Sequence, residues 1–481
     1  MFHVIINTQQ MTLRNAVFTG AAAALLAGCS PSEKKSAEQT MGTTRKPVQV
    51  ITLDPGHFHA ALVQKTMFDQ VDSLVHVYAP EGADVQDHLK RIEGYNGRAD
   101  NPTRWHEEVY TGPDFLEKMV EQKKGNVVVI AGNNRKKTEY IQKSVAAGLH
   151  VLADKPMCID SAGFNGLQAA FRTAEAKNVL LYDIMTERSE ITTMLQKALS
   201  QIPDIFGQLQ QGTPRDPAVT KESIHHFYKY VSGSPLKRPA WFMDVAQQGE
   251  GLVDVTTHLV DLVQWECFPE QTLDYRKDVQ VLGARRWPTR MTRSEFARIT
   301  GLDAFPDYLR KDVVDDSVLN VFSNGEINYK LKGVHAKVSV IWNYKAPEGA
   351  GDTHFSVMKG TRANLEIRQG ADEKYVPELY IKPVKNDAAY ETALTGAFEK
   401  VKAAYPGVEL KKGKGQWQVL IPEKYRVGHE AHFGEVMERF LGYLAAGKLP
   451  DWEVPNMLTK YYTTTTALQM ARQNGKQISM K

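Results

Sequence analysis

Cysteine is scarce in this chain: three residues in 481, Cys29, Cys158 and Cys267. Three thiols build no disulfide framework, so stability must come from packed cores. Net charge is also close to absent, at a formal +3. Removing residues 1–28 takes away Arg14 and no acid, which leaves +2. That balance carries no electrostatic footprint for nucleic acid, and no nucleic-acid partner is expected. Long hydrophobic runs are missing too. Residues 16–27 are apolar but too few for a stable membrane span, and no later segment is long and apolar enough to cross. Internal repeats are not visible. Nor is a complete G-x-G-x-x-G turn, whose glycines would let backbone approach a pyrophosphate.

What the N-terminus does have is a signal. From Met11 a single arginine precedes the short apolar stretch, which closes with Leu26-Ala27-Gly28-Cys29. That order describes a secretory signal over residues 1–28. Leu-Ala-Gly-Cys resembles the bacterial lipobox, with Cys29 lipidated after cleavage. Residues 29–46 are rich in Ser, Lys, Glu and Thr and read as a lipidated tether. The expected location is outside the cytoplasm, anchored to the envelope by lipid alone and facing the periplasm or cell surface. About 435 residues remain, enough for two domains, placed at 47–186 and 187–481.

The first domain alternates strand and helix. Strands are expected at 48–53, 74–78, 126–131, 150–153 and 179–182, with helices at 61–68, 136–147 and 161–177. Short links between them argue for a parallel, doubly wound, Rossmann-like sheet. Ligands of such sheets sit at the carboxyl ends of the strands. There the first strand runs into Asp54-Pro55-Gly56-His57-Phe58-His59. Only Gly56 of the glycine fingerprint is kept. His57 and His59 either bond to nearby backbone at the helix start or contact cofactor and substrate. Glu81, past the second strand, is either a turn residue or an acceptor for an adenosine ribose. An acid there would disfavour a 2′-phosphate. Lys155 follows an apolar strand and precedes Pro156, so it points toward the ligand crevice.

The second domain opens with mixed signals and settles into strands. Residues 205–211 read as a strand. Residues 225–230, His-His-Phe-Tyr-Lys-Tyr, suit stacking on sugar rings. In Gly251-Leu252-Val253-Asp254-Val255-Thr256-Thr257-His258, Asp254 and His258 are four apart, on one face of a helix. Asp261 and Trp265 continue that stripe. Asn324-Gly325 is expected to turn a hairpin, with strands at 327–332, 337–343, 354–359 and 363–368. His354 sits between strands in a place that could face substrate. His429-Glu430-Ala431-His432 spaces its imidazoles three apart, where the zinc-protease motif needs four. No metal site is expected.

Ala153-Asp154-Lys155-Pro156 and the Gly251–His258 motif together resemble the Gfo/Idh/MocA (glucose–fructose oxidoreductase / inositol dehydrogenase) family. The likeness runs from about Val48 to the C-terminus. It is closer to exported, lipid-anchored members of Bacteroidota type than to cytoplasmic dehydrogenases. Asp154 stands where the family usually has Glu, and Asn133-Asn134 keeps only the Asn of its Thr-Pro-Asn. The resemblance implies an open, mostly antiparallel sheet in an α+β second domain, often a homo-oligomer interface, with the last helix packed back. It implies an NAD-dependent oxidoreductase acting on a hydroxyl of a sugar, glycoside or polyol, with NAD favoured over NADP and held tightly. Lys155, His258 and Asp254 would be catalytic. His258 would act as base because histidine titrates near working pH. Gly56, His57, His59, Glu81, Asn134 and Lys155 would hold the cofactor, and Asp261, Trp241, His226 and His354 the substrate. Two alternatives stay open: NAD-assisted glycoside cleavage by oxidation, elimination, hydration and reduction, or a non-enzymatic sugar-binding lipoprotein.

Overall fold

A computed structural model describes residues 48–231 and 234–479. The signal segment and Cys29 lie outside the described residues. Six strands build the first sheet: β1 (Val50–Leu53), β2 (Leu74–Ala79), β3 (His106–Thr111), β4 (Val127–Ile130), β5 (His150–Asp154) and β6 (Leu181–Ile184). Their spatial order is β3-β2-β1-β4-β5-β6, and every pairing is parallel. Val127–Ile130 is buried at all four positions, as a strand covered on both faces must be. Helices Lys137–Ala146 and Ser161–Lys177 link the later strands. Gly148, at φ +80, lies just past the first of these helices, where the left-handed conformation ends it. The edge strand β3 and the helix Ala83–Gly97 carry little apolar alternation, and the sequence reading had no element there.

The second sheet is mixed and mostly antiparallel. In order it runs Val279–Thr292, Val318–Leu331, Val334–Lys345, β7 (Val219–Tyr228), Thr353–Lys359, Ala363–Gln369, Glu378–Pro383, Trp417–Leu420 and Glu409–Lys412. Only β7 beside Val334–Lys345 is parallel. Two expectations fail here. Residues 203–206 form a helical turn started by Pro203, so no strand covers 205–211. Asn324-Gly325 does not turn the chain: the strand passes straight through, and the reversal comes at Lys332 and Gly333, both with positive φ. Gly325 serves packing instead, since a Cβ there would lie 2.5 Å from Leu252. Gly251 does the same from the other side; its Cβ would lie 2.0 Å from the Ser323 carbonyl oxygen. The turn from Gly251 to Asp254 is thus pressed onto this strand. Asn324 fills the irregularity between Trp287 and Thr289, bonding the Trp287 carbonyl, Thr289 Oγ1 and the Trp342 N–H.

The last two long helices do not stay with the second sheet. Helix His429–Ala446 gives Phe433, Val436, Met437, Phe440 and Leu441 to the core of the first sheet. Helix Glu453–Ser479 gives Met457 and Tyr461 to that core, and Ala467, Leu468 and Ala471 to the other. Among the described residues, no helix is long and apolar enough to cross a membrane.

Candidate active site

The carboxyl ends of β1 and β5 meet the turn before the helix Thr256–Cys267. Strand β5 is apolar and buried, so Lys155, one residue past it, is carried inside with it. Its Nζ donates to Asp254 Oδ1 at 2.7 Å. Burial opposes charge on both groups, but each outweighs that cost for the other. The lysine pKa ends above its ordinary value, helped by Asp154, and the Asp254 pKa below its own. Both are therefore ionised at neutral pH. Asp254 is not on the helix, as its spacing from His258 suggested. It lies in the turn before it, its N–H on the Glu250 carbonyl and its carbonyl holding the Thr257 N–H.

His258 sits in the first helical turn, 9% exposed, and its Nδ1 is buried without a partner. Burial first, and then the charge of Lys155, push its pKa down to about 4. This corrects the expectation of a histidine titrating near working pH. The imidazole is neutral throughout the physiological range. Glu187, in the 3-10 turn after β6, lies 3.4 Å from His429 Nδ1. Burial acts against the Glu187 charge, yet the His429 imidazole holds its pKa below the usual range. Glu430 turns away to pair with Lys65.

Around the turn after β1, the two histidines behave differently. His59 Nδ1 lies 2.9 Å from Asp154 Oδ2, and both are buried. His57 Nδ1 accepts the His59 N–H at 3.3 Å, the backbone contact that was one of its two readings. Their rings meet edge to face at 4.0 Å between centroids. Burial lowers both pKa values well below the ordinary one. Asn134 donates its N–H to the Gln247 carbonyl and its Nδ2 to the Gln248 carbonyl, at 3.0 and 2.7 Å. Its Oδ1 is buried without a partner. That free acceptor fits the amide of a nicotinamide, so the residues present suit a dinucleotide at that end.

Gly56 is closely approached, but by the protein itself. A Cβ there would lie 3.0 Å from Asp84 Oδ2 and 3.3 Å from Trp241 Cζ2. Trp241 Nε1 donates to the same Asp84 oxygen at 2.9 Å. Trp241 is therefore a neighbour of Gly56 and of Asp84. Glu81 is exposed at the end of β2.

Asp261 is corrected as well. Arg188 grips both of its oxygens at 2.7 Å, and Lys460 adds a bond at 2.8 Å. Arg188 also holds Glu453, and Lys460 holds Asp183. These groups are almost fully buried, so Asp261 has no free oxygen for a substrate. Of the expected stripe, Asp261 is the member held by the helix Glu453–Ser479, through Lys460. His226 bonds Asp352 and His354 bonds Ser223, both at 2.9 Å. Both lie in the second sheet, on β7 and the strand beside it. Trp265 lies under Lys197, 3.8 Å from its ring centroid.

The sequence reading passed over Arg238. It is buried over Phe242 and Trp342, and its Nε donates to the Phe227 carbonyl at 3.3 Å. Burial lowers its pKa to about 10 despite Asp352 and Asp254. It joins the β7 histidine region electrostatically to Asp254. Asp84 and Glu187 were passed over as well, and Asp154 was read only as the residue before Lys155. Each gains meaning only from a partner far along the chain.

Residues 55–182 match the family model described as "Oxidoreductase family, NAD-binding Rossmann fold" (GFO_IDH_MocA), and residues 195–472 match "Putative oxidoreductase C terminal domain". A solved structure of a "putative oxidoreductase" from Parabacteroides merdae is 62% identical, with TM-score 0.88, over 89% of this chain and 98% of that one. Two distant structures share the fold. A biliverdin reductase from Synechocystis, solved with biliverdin and NADP+, is 12% identical at TM-score 0.53 over 89% of this chain and 99% of its own. A 3-ketoreductase from Actinomadura kijaniata, solved with NADP and TDP-benzene, is 13% identical at TM-score 0.51 over 87% and 96%. No curated protein matches the chain.

Proposed function

The chain belongs to the Gfo/Idh/MocA family of NAD(P)-binding oxidoreductases, and from that premise we propose that it oxidises or reduces a hydroxyl-bearing carbon of a sugar, glycoside or polyol. The observation that carries this reading is the Lys155–Asp254 ion pair beside a neutral His258 whose Nδ1 is free. Bound NAD would supply the acceptor or donor of hydride. Asn134 Oδ1 would accept from its carboxamide. Lys155, kept protonated by Asp254, donates a hydrogen bond to the substrate oxygen and stabilises negative charge as it develops there. His258 takes the hydroxyl proton. It is unprotonated at working pH, and the charge of Glu187 acts to favour the imidazolium once formed. NAD is preferred over NADP because Glu81 stands free at the end of β2 to repel a 2′-phosphate.

A second reading has its own support. Hydride exchange alone needs one proton-transfer group, yet a second imidazole–carboxylate pair, His429 and Glu187, lies at the same site. Oxidation to a ketone would acidify the neighbouring C–H. Loss of that proton to the second pair would expel the glycosidic oxygen. Addition of water and return of the hydride would complete a hydrolysis without net redox change. We also propose export and lipid attachment at Cys29, on the strength of the N-terminal sequence.

The test is hydride transfer followed at the nicotinamide absorbance with a panel of sugars and glycosides. Lys155→Met and His258→Gln should each lower turnover by about 10²–10⁴-fold, the usual scale for a positioned proton-transfer group. Nucleotide binding should persist in both. Near-normal turnover in His258→Gln removes this assignment.

A further inference from the structure

We propose that His57, His59 and Asp154 form a site for one divalent transition-metal ion of the zinc type. Each offers one ligand atom, and the three atoms lie within 4.8 Å of one another. Zinc binds imidazole nitrogen and carboxylate oxygen at about 2.0–2.2 Å in a tetrahedral shell, so its ligand atoms stand about 3.4 Å apart. The 2.9 Å between His59 Nδ1 and Asp154 Oδ2 is a hydrogen-bond distance, which would open by about half an ångström around the ion. The ion would take the place of the proton that those atoms share. His57 closes the set through a small ring rotation, because its Nδ1 contact is long, at 3.3 Å. Two imidazoles and one carboxylate favour a borderline ion over magnesium or calcium.

The surroundings are built to hold such ligands still. Asp154 ends a fully paired strand, and Lys137 Nζ donates to its carbonyl at 2.9 Å. His59 opens a helix, packed against Phe433 at 4.5 Å between centroids. Of the lysine charges that reach His59, Lys155 is matched by Asp254, and Lys137 rests on the Asp154 carbonyl. Three protein ligands leave a position open, as zinc sites that act on substrates do. His258, 9% exposed with its Nδ1 unpartnered, is one of the groups whose charge reaches His59. A water, a substrate oxygen or that imidazole would complete the shell. The His-Glu-Ala-His segment is not this site, since Glu430 pairs with Lys65 and His429 with Glu187.

The experiment needs neither nucleotide nor substrate, so its outcome is independent of the oxidoreductase reading. Purified full-length protein is stripped with a chelator, dialysed against Zn²⁺ and counted by mass spectrometry. Affinity is read by competition with a chromophoric chelator. The proposal expects one zinc per chain. His59→Ala and Asp154→Asn should each weaken binding by at least ten-fold, while Glu430→Gln leaves it unchanged. If the buried variants misfold, His57→Ala, at a half-buried ring, carries the test with the same expected loss. A wild-type protein that retains no stoichiometric zinc overturns the site and leaves His59–Asp154 a hydrogen-bonded pair. Zinc retained equally by wild type and all ligand variants also overturns it, by placing the ion elsewhere.

Discussion

Removing the whole Lys155–Asp254 ion pair should cost less than removing its two halves separately. Lys155→Met leaves the Asp254 carboxylate buried with its cation gone, and stranding one partner of a buried pair costs about 3–5 kcal/mol. Asp254→Asn strands the lysine instead, but Asp154 still supports that charge, so its cost should lie at the lower end. The double variant buries no unpaired charge from the pair. It should be less destabilised than the sum of the two, by about 1–3 kcal/mol. The pH dependence has a definite sign. In the wild type the Asp254 pKa is depressed, so its contribution is present above the unfolded carboxyl pKa and fades as pH falls through the folded value. In Lys155→Met burial acts unopposed by the lysine and raises that pKa. The deficit of this variant should therefore shrink on acidification, as Asp254 takes up a proton. Guanidinium unfolding of all four proteins across about pH 5 to 8 measures each term. A double variant that falls by the full sum at every pH would refute the coupling, and with it the claim that Asp254 keeps Lys155 charged.

Arg188→Met should destabilise the protein by about 3–5 kcal/mol, since it strands Glu453 in the core and leaves Asp261 to Lys460 alone; thermal unfolding reads this, and a loss under about 1 kcal/mol would contradict the buried network. His258 has a folded pKa of about 4 against about 6.5 unfolded, so its neutral form adds stability above pH 6.5 that is lost as pH falls toward 4. His258→Gln should flatten the stability–pH curve in that window, and an unchanged slope would mean that the imidazole is not depressed.

Lys155 was legible because the apolar run of β5 carries it to a known kind of place, the carboxyl end of a parallel strand. His258 was legible through its motif. The parallel sheet followed from strand–helix alternation. The rest turned on pairings that leave no local pattern. Asp261 looked like part of a polar stripe toward a ligand, but periodicity reports only that a stripe exists. Its partners are 73 and 199 residues away. Asp254 was placed on the helix because four-residue spacing fits one, whereas Gly251 against Ser323 holds that segment in a turn. Trp241 was expected only to meet substrate, and its bond to Asp84, 157 residues before it, left no local signal. The glycine turn looked like a weakened phosphate cradle, yet its second histidine has a carboxylate partner 95 residues on.

The most direct test of the central claim is a binding titration of the purified protein with NAD and NADP, followed by quenching of tryptophan fluorescence. Trp241 packs against Gly56 and provides a reporter beside the cofactor turn. The account expects saturable binding, tighter for NAD, with the preference reduced in Glu81→Ala. No saturable binding of either nucleotide would contradict an oxidoreductase built on this site.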